Sequence, residues 1–435
     1  MHPTGTPTSY YRIRGGAPLA GTIVPKGNKN AALPMIAAAL LTEEPVRLRN
    51  VPEIRDVLTM LQLLEHLGVE ILREEHGCWT ITARELGTTV PPRELAGEIR
   101  ASFLLAGPLL ARMGAATLPR PGGDRIGRRP LDTHIHAFED LGATAEPRPD
   151  SYHLEAAAGL TGRELFLTEM SVMATENAVM AASLARGTTI IRNAASEPHV
   201  QELCHLINAM GGSVDGIGTN VLVIEGRDRL HGTDATVGPD HIEIGSFIGL
   251  AAATGGEMLI TGARPSVCLP ATRIAFGRLG IEWTEHGDDI LVPSGQDLVI
   301  RGDLQGGVPK IDDGPWPAFP PDLTSIAVVL ATQARGTVLI HEKMFESRLF
   351  WVDRLIAMGA NIVLCDPHRA VVIGPSRLWG QTLSSPDIRA GMALVIAALC
   401  AEGESVIQNV HQIERGYEDL PGRLQALGAD IVREG

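Results

Sequence analysis

The 435-residue sequence is short of aromatic residues, at 4%, and of cysteine, with only five. Cys78, Cys204, Cys268, Cys365 and Cys400 are odd in number, scattered, and never in CxxC spacing. That excludes a disulfide-stapled scaffold and predicts free thiols, mostly core filler, in a reducing compartment. No His/Cys cluster has ligand spacing, so no metal is expected. Long apolar runs are also missing. The longest, "GMALVIAALCAEG", falls short of the roughly 18 residues a membrane span needs. The N-terminal "MHPTGTPTSYYRIRGG" lacks the basic-then-apolar order of a signal peptide. A cytoplasmic protein without a membrane partner is expected. Positive charge is in deficit, with 37 Lys and Arg against 51 Asp and Glu, a net charge of −14. A nucleic-acid partner would call for a basic face. A small anionic ligand stays open, provided cations are gathered locally.

Glycine and proline, by contrast, are plentiful, at 48 and 29 residues. They favour many short elements joined by tight turns. The length predicts two domains of about 200 residues each.

One signature recurs six times: a helix end closed by glycine, then a short apolar strand. It reads "LLEHLGVEIL" at Gly68, "AFEDLGATAE" at Gly142 and "LINAMGGSVD" at Gly211. It returns as "AFGRLGIEWT" at Gly280, "LIAMGANIVL" at Gly359 and "LQALGADIV" at Gly428. The intervals are 74, 69, 69, 79 and 69 residues. Each glycine suits the left-handed position that ends a helix. Each repeat also holds an earlier helix, nearly uncharged inside: "KNAALPMIAAALL", "IRASFLLAGPLLARM", "TENAVMAASLA", "IEIGSFIGLAAA", "PDLTSIAVVLATQA" and "PDIRAGMALVIAALC". Helices apolar on most faces are buried. The expected fold class is α/β: two domains, each of three βαβαβ-type units of roughly 70 residues. The chain is expected to cross between them near "VGPDHIE", Val237 to Glu243. That gives one domain of residues 29–239 and another of 1–28 plus 240–435.

The buried helices are apolar inside but polar at their first turns, where Lys29, Arg100, Glu176, Glu243, Asp322 and Arg389 hold equivalent places. A helix N-terminus favours anions, so lysine or arginine there opposes the dipole. Convergence on an anionic ligand explains such cations better than stability does. The neighbouring loops add Arg348 in "FESRLF", Arg415 in "IERGYE" and Arg129 in "PRPGGDRIGRRPLD". Arginine offers phosphate or carboxylate a rigid, two-pronged donor. A cleft gathering these cations would bind a strongly anionic molecule and exclude water on closing. The "PRPGGDRIGRRPLD" loop sets Asp124 among Arg120, Arg125, Arg128 and Arg129, just after Gly122 and Gly123. The glycines would let it fold over such a cleft. His134 and His136 in "THIHAFEDLG" read as helix-face or core histidines rather than metal ligands. Asp322, taken alone, reads as a helix cap.

In the order "KNAALP", "RAS", "PGGDRIGRRPLDTHI", "ATENAVMAA", "FPPDLT", "FESR", "DIRA" and "IERGYE", the chain resembles the enolpyruvyl transferases over essentially its full length. The resemblance implies an inside-out α/β barrel in each domain. It is strongest to the branch that moves the enolpyruvyl group of phosphoenolpyruvate to the 3-hydroxyl of UDP-N-acetylglucosamine, releasing phosphate and opening peptidoglycan synthesis, with no cofactor. On that resemblance Lys29 and Asn30 meet phosphoenolpyruvate, Arg129 and Arg415 hold its phosphate or carboxylate, and Arg389 and Arg348 belong to the same cationic set. Arg100, Pro130, Leu131, Asp132, Thr133, Ser171, Val172, Asp322 and Met344 line the nucleotide-sugar site. Lys29, Arg415, Asp322 and Asp124 form the catalytic set. Asp322 takes the hydroxyl proton, and Asp124 protonates the methylene carbon.

Most members of the family carry cysteine where this chain has Asp124, and some carry aspartate. A free thiol titrates near 8.5 and a free aspartate near 3.9. Surrounding arginines depress the aspartate further, while bound substrate and excluded water favour its proton. Asp124 is therefore expected to become an acid only with substrate in place. Met173 replaces a usual glycine, Glu169 stands where many members have lysine, and Lys26 adds a cation. Glu169 and Met173 keep open another uridine nucleotide as acceptor, and shikimate 3-phosphate as acceptor and a non-catalytic nucleotide-sugar binder are the further alternatives. The shikimate branch has a "KSxSNR" pattern, whereas this chain has "KNAALP".

Overall fold

A computed structural model describes residues 9–124, 126–265 and 269–435. Arg125 and Cys268 lie outside the described residues. The chain forms two compact units. The first comprises 26–124 and 129–238; the described part of the second is 9–25, 126–128 and 239–435. Each unit has its own hydrophobic core.

All six glycines of the repeat signature have positive φ, from 80° at Gly280 to 105° at Gly359. They close helices and release the chain into strands. The described residues form six sheets, five of four strands and one of three. Thr188–Arg192 shows the rule. It pairs parallel with Glu164–Phe166 on one side and antiparallel with Val221–Glu225 on the other. A helix joins the parallel pair, a second helix follows, and a hairpin returns. The repeat is thus βαβαβ with one further hairpin strand. Thr188–Arg192 alternates exposed and buried side chains, as a sheet covering a core on one face must.

The core of each unit is helical. In the second unit Ile388–Cys400 packs on Thr324–Gln333 and His241–Thr254. In the first, Ala106–Met113 packs on Val172–Ala182, with Lys29–Ala38 also buried. Helices inside and sheets outside is the inside-out arrangement.

Two leading strands are exchanged. Gly21–Ile23 pairs parallel with Met258–Ile260 in the second unit, yet the next helix, Lys29–Ala38, lies in the first. Thr233–Thr236 pairs parallel with Val46–Arg49 in the first unit, and the following helix lies in the second. Each crossing falls between a strand and its buried helix.

The helix expected from Ile99 is divided. Arg100–Leu105 is a 3₁₀ turn and the α-helix proper is Ala106–Met113. Pro108 lacks the N–H for a regular turn. Asn177 bridges the break: its Oδ1 accepts from Gly107 N at 2.8 Å and its Nδ2 donates to Phe103 O at 3.0 Å.

Candidate active site

In the second unit, Pro320 and Pro321 lead into a short 3₁₀ turn, Pro321–Leu323, ahead of Thr324–Gln333. Asp322 lies on that turn but caps neither helix. Its Oδ1 accepts from Arg348 Nη2 at 3.0 Å and its Oδ2 from Arg389 Nε at 2.9 Å. Both arginines are buried, while a quarter of the Asp322 side chain stays exposed. Buried guanidiniums are costly without partners, and two of them on one carboxylate favour its anion.

Arg389 is held by its helix start. Asp387 is the N-cap of Ile388–Cys400, and its Oδ1 accepts from Arg389 N and Ala390 N, each at 2.9 Å. Arg389 Nη1 donates to the buried Tyr417 hydroxyl at 3.4 Å, which bonds Ser246 Oγ at 3.0 Å. Burial works against the Arg389 charge, yet Asp322, Tyr417 and Asp240 outweigh it and hold its pKa above the usual arginine value. Arg348 is likewise raised: burial opposes its charge, and Asp322 is the first of the carboxyl groups that overcome burial. Arg415 ends the 3₁₀ turn Val410–Arg415, is buried, and donates to Gln412 Oε1 at 2.8 Å. Met344 is exposed, three residues before the "SR" of "FESR".

In the first unit, Lys29 opens its helix behind the Asn28 cap, whose Oδ1 accepts from Asn30 N at 2.8 Å. The Lys29 ammonium is buried and 2.8 Å from Asp56 Oδ2. Its unfavourable place on the dipole is offset by this partner from the next helix, Arg55–His66. Arg100 Nη2 donates to Arg129 O at 2.6 Å. Burial, and then the Arg129 charge, push the Arg100 pKa down to about 10. Its buried Nε finds no hydrogen-bond partner among the described residues.

Gly122 and Gly123 are required by close approach rather than by looseness. A Cβ on Gly122 would lie 1.8 Å from Gly97 O, and one on Gly123, at φ 99°, 2.9 Å from Arg100 Cβ. Asp124, directly after them, is half-buried. Arg120 turns to its own sheet: Nε donates to Pro149 O at 2.8 Å and the guanidinium covers Tyr152. Arg128 is exposed, and its backbone N–H donates to Glu346 Oε1 at 2.9 Å within the second unit.

Pro130 is half-buried and Leu131 belongs to the first core. Asp132 is exposed in the first turn of Asp132–Asp140, and Thr133 Oγ1 bonds Thr168 Oγ1 at 2.9 Å. Ser171 caps Val172–Ala182 by accepting from Ala174 N at 3.3 Å. Val172 and Met173 pack partly buried against that core, and Glu169 is exposed.

His134 is a satisfied core histidine. Asn177 Oδ1 is engaged by Gly107 N, so its NH₂ faces His134 Nδ1 at 3.0 Å. Nδ1 therefore accepts and the ring is neutral. Among the described residues, no group of three or more His, Cys, Asp or Glu could hold a metal ion, and no helix is long and apolar enough to cross a membrane.

Sequence reasoning missed Asp56, Asp240, Asp387 and Tyr417 as supports. "GPDHIE" and "SPDIRA", with aspartate just before a buried helix, carried the cap signal for two of them. Nothing local marks Tyr417.

Comparison with known proteins places these residues in context. The family model described as EPSP synthase (3-phosphoshikimate 1-carboxyvinyltransferase) matches residues 13–424. UDP-N-acetylglucosamine 1-carboxyvinyltransferase of Treponema denticola is 59% identical over 97% of this chain and 98% of that protein. The proteins of the same name from Treponema pallidum and Bradyrhizobium diazoefficiens are 56% and 54% identical, over 98% and 97% of this chain and 100% and 97% of theirs. The crystal structure of the enolpyruvyl transferase NikO from Streptomyces tendae superposes with a TM-score of 0.87 at 24% identity, covering 98% of this chain and 99% of that one. EPSP synthase from Acinetobacter baumannii gives 0.75 at 18% identity, over 98% and 100%. These two structures share the fold. With the family model and near-full-length relatives in agreement, the chain belongs to the enolpyruvyl transferase family of EPSP synthase.

Proposed function

We propose that the chain transfers the enolpyruvyl group of phosphoenolpyruvate to the 3-hydroxyl of UDP-N-acetylglucosamine and releases inorganic phosphate, the first committed step of peptidoglycan synthesis. The observation that carries this reading is the 59% identity, over nearly the full length of both chains, to a relative bearing that activity's name. The two units would serve as the two enolpyruvyl transferase domains, 29–239 and 1–28 plus 240–435.

The reaction is an addition followed by an elimination. The sugar oxygen bonds to C2 of phosphoenolpyruvate, its proton leaves, and C3 gains a proton. The adduct then loses a proton from C3 and phosphate from C2, restoring the double bond. Asp322 is assigned the hydroxyl proton, because its carboxylate is ionised between Arg348 and Arg389 and partly open. Asp124 is assigned the proton delivered to C3. Lys29, Asn30, Arg129, Arg389 and Arg415 are assigned to the phosphate and carboxylate of phosphoenolpyruvate, where positive charge offsets what accumulates as the phosphate departs. Arg100, Pro130, Leu131, Asp132, Thr133, Ser171, Val172 and Met344 are assigned to the nucleotide sugar.

The test is phosphate release from the protein with phosphoenolpyruvate and UDP-N-acetylglucosamine. Release dependent on both is expected. Release with shikimate 3-phosphate instead would reassign the acceptor, and binding of the nucleotide sugar without release would make the chain a binder.

A further inference from the structure

Behind Arg348 lie two buried carboxyl groups that the reaction above leaves without a task. Glu342 follows the strand Gly336–His341 and is 0% exposed; Asp313 follows Lys310–Asp312 and is 2% exposed. Phe345 N donates to Glu342 Oε1 at 3.1 Å, and Lys343 N donates to Asp313 Oδ1. The remaining oxygens, Glu342 Oε2 and Asp313 Oδ2, are buried and accept no hydrogen bond from any described residue. The two side chains are within hydrogen-bonding reach of each other. Two acceptors that face each other without a donor are satisfied by one shared proton.

Arg348 fits the same count. Its Nη2 donates to Asp322, while its Nε stands 3.8 Å from Glu342 Oε2, beyond hydrogen-bond range, and Nε and Nη1 are buried without partners among the described residues. An ionised Glu342 would compete with Asp322 for this cation.

We propose that Glu342 is a positioning residue for Asp322: it stands behind Arg348 as a neutral acid, sharing its proton with Asp313, and so leaves the Arg348 charge to Asp322 and the anionic substrate. The role toward Asp322 rests on the function proposed above; the shared proton does not. Burial first, and then the hydrogen bond to Asp313, push the Glu342 pKa up to about 9 against the pull of Arg348. The Thr324 hydroxyl is nearby, at the start of Thr324–Gln333, but makes no hydrogen bond to either Glu342 oxygen. His368, from the hairpin turn, bonds only its backbone, with Nδ1 2.8 Å from Glu342 O.

Glu342→Gln keeps the shape and neutrality of the acid and offers Asp313 an amide donor. Its turnover at neutral pH should lie within about threefold of wild type, with both KM values unchanged. Wild-type turnover should decline through about pH 9 as Glu342 ionises. The Gln variant should lack that decline. Asp313→Asn, which gives ionised Glu342 a donor, should move it to lower pH. A second measurement needs no activity. Between the ordinary glutamate value of 4.5 and about 9, the native state binds a proton that the unfolded chain has released. The stability contributed by this proton is therefore lost from wild type as pH rises through that window, and the Gln variant has no such contribution to lose. The Tm difference between them should widen steadily. A Tm difference constant with pH, or a Gln variant as inactive at neutral pH as Asp322→Asn, overturns the proposal. Absence of phosphate release by wild type would instead remove the function, and the Tm comparison would still decide the shared proton.

Discussion

In the reaction proposed, Asp124 would deliver a proton from a group that ordinarily gives it up near 3.9, where a thiol holds on until about 8.5. Asp124→Asn should lower kcat by about 10²–10⁴-fold while leaving the nucleotide-sugar Kd unchanged, because general acid catalysis is worth about that much. Asp124→Cys should stay active and become sensitive to fosfomycin, an epoxide that alkylates a thiolate in the family's cysteine members. Wild type should resist it, and an adduct on Asp124 in mass spectrometry would refute this reading. Asp322→Asn removes the anion that Arg348 and Arg389 face, so kcat should fall by at least about 10²-fold with little change in either KM. A KM effect alone would make Asp322 a binding residue. The charge in "FPPDLT" was legible as chemistry or as a cap; the geometry decides against the cap, because Asp322 turns to two guanidiniums instead of a helix end. The Glu342–Asp313 pair was not legible, since neither carboxyl sits in a pattern that announces the other.

The buried helices, and the glycine stops of the second helix in each repeat, followed from composition and period, and the structure returns positive φ at each stop. What periodicity missed was the ion-pair partner of Lys29. Lys29 against the dipole suggested a ligand, and it has an ion pair with Asp56 as well. Nor does apolar content distinguish a regular helix from one whose broken turn is bridged by Asn177, as at Phe103 and Gly107. The leading strands are exchanged between the units, which no local pattern encodes. Asp387 lets this level be tested. Its carboxylate accepts from Arg389 N and Ala390 N at the head of a 13-residue helix. Asp387→Ala should cost about 1 kcal/mol, seen as a Tm lower by about 2–4 °C for a unit of this size. It should also loosen Arg389 and lower kcat. Asp387→Ser, which keeps a cap, should restore Tm and most of the turnover. A normal Tm in the Ala variant would show that the cap is not needed.

For the molecule as a whole, acid is the stress it should resist least, and buried histidine is the reason. Burial, then the Arg100 charge, push the His134 pKa down to about 3. Burial does the same to His241, with Arg389 adding to it and Asp322 opposing, leaving it at about 4. The unfolded chain takes up these protons near 6.5, whereas the folded chain refuses them until much lower pH. The stability contributed by these two neutral histidines is therefore complete above about 6.5 and is lost as pH falls, down to about 4 for His241 and about 3 for His134. The loss is several kcal/mol, at about 1.4 kcal/mol per pH unit for each group. It is also structural, because a proton on His134 Nδ1 meets the Asn177 NH₂ that bridges the broken helix. The urea midpoint should fall steeply between about pH 6.5 and about pH 4, and His134→Gln, which can still accept from Asn177, should flatten part of that slope. An unchanged slope in the Gln variant would assign the acid sensitivity to the carboxylates of the ion pairs, whose stabilisation disappears at lower pH.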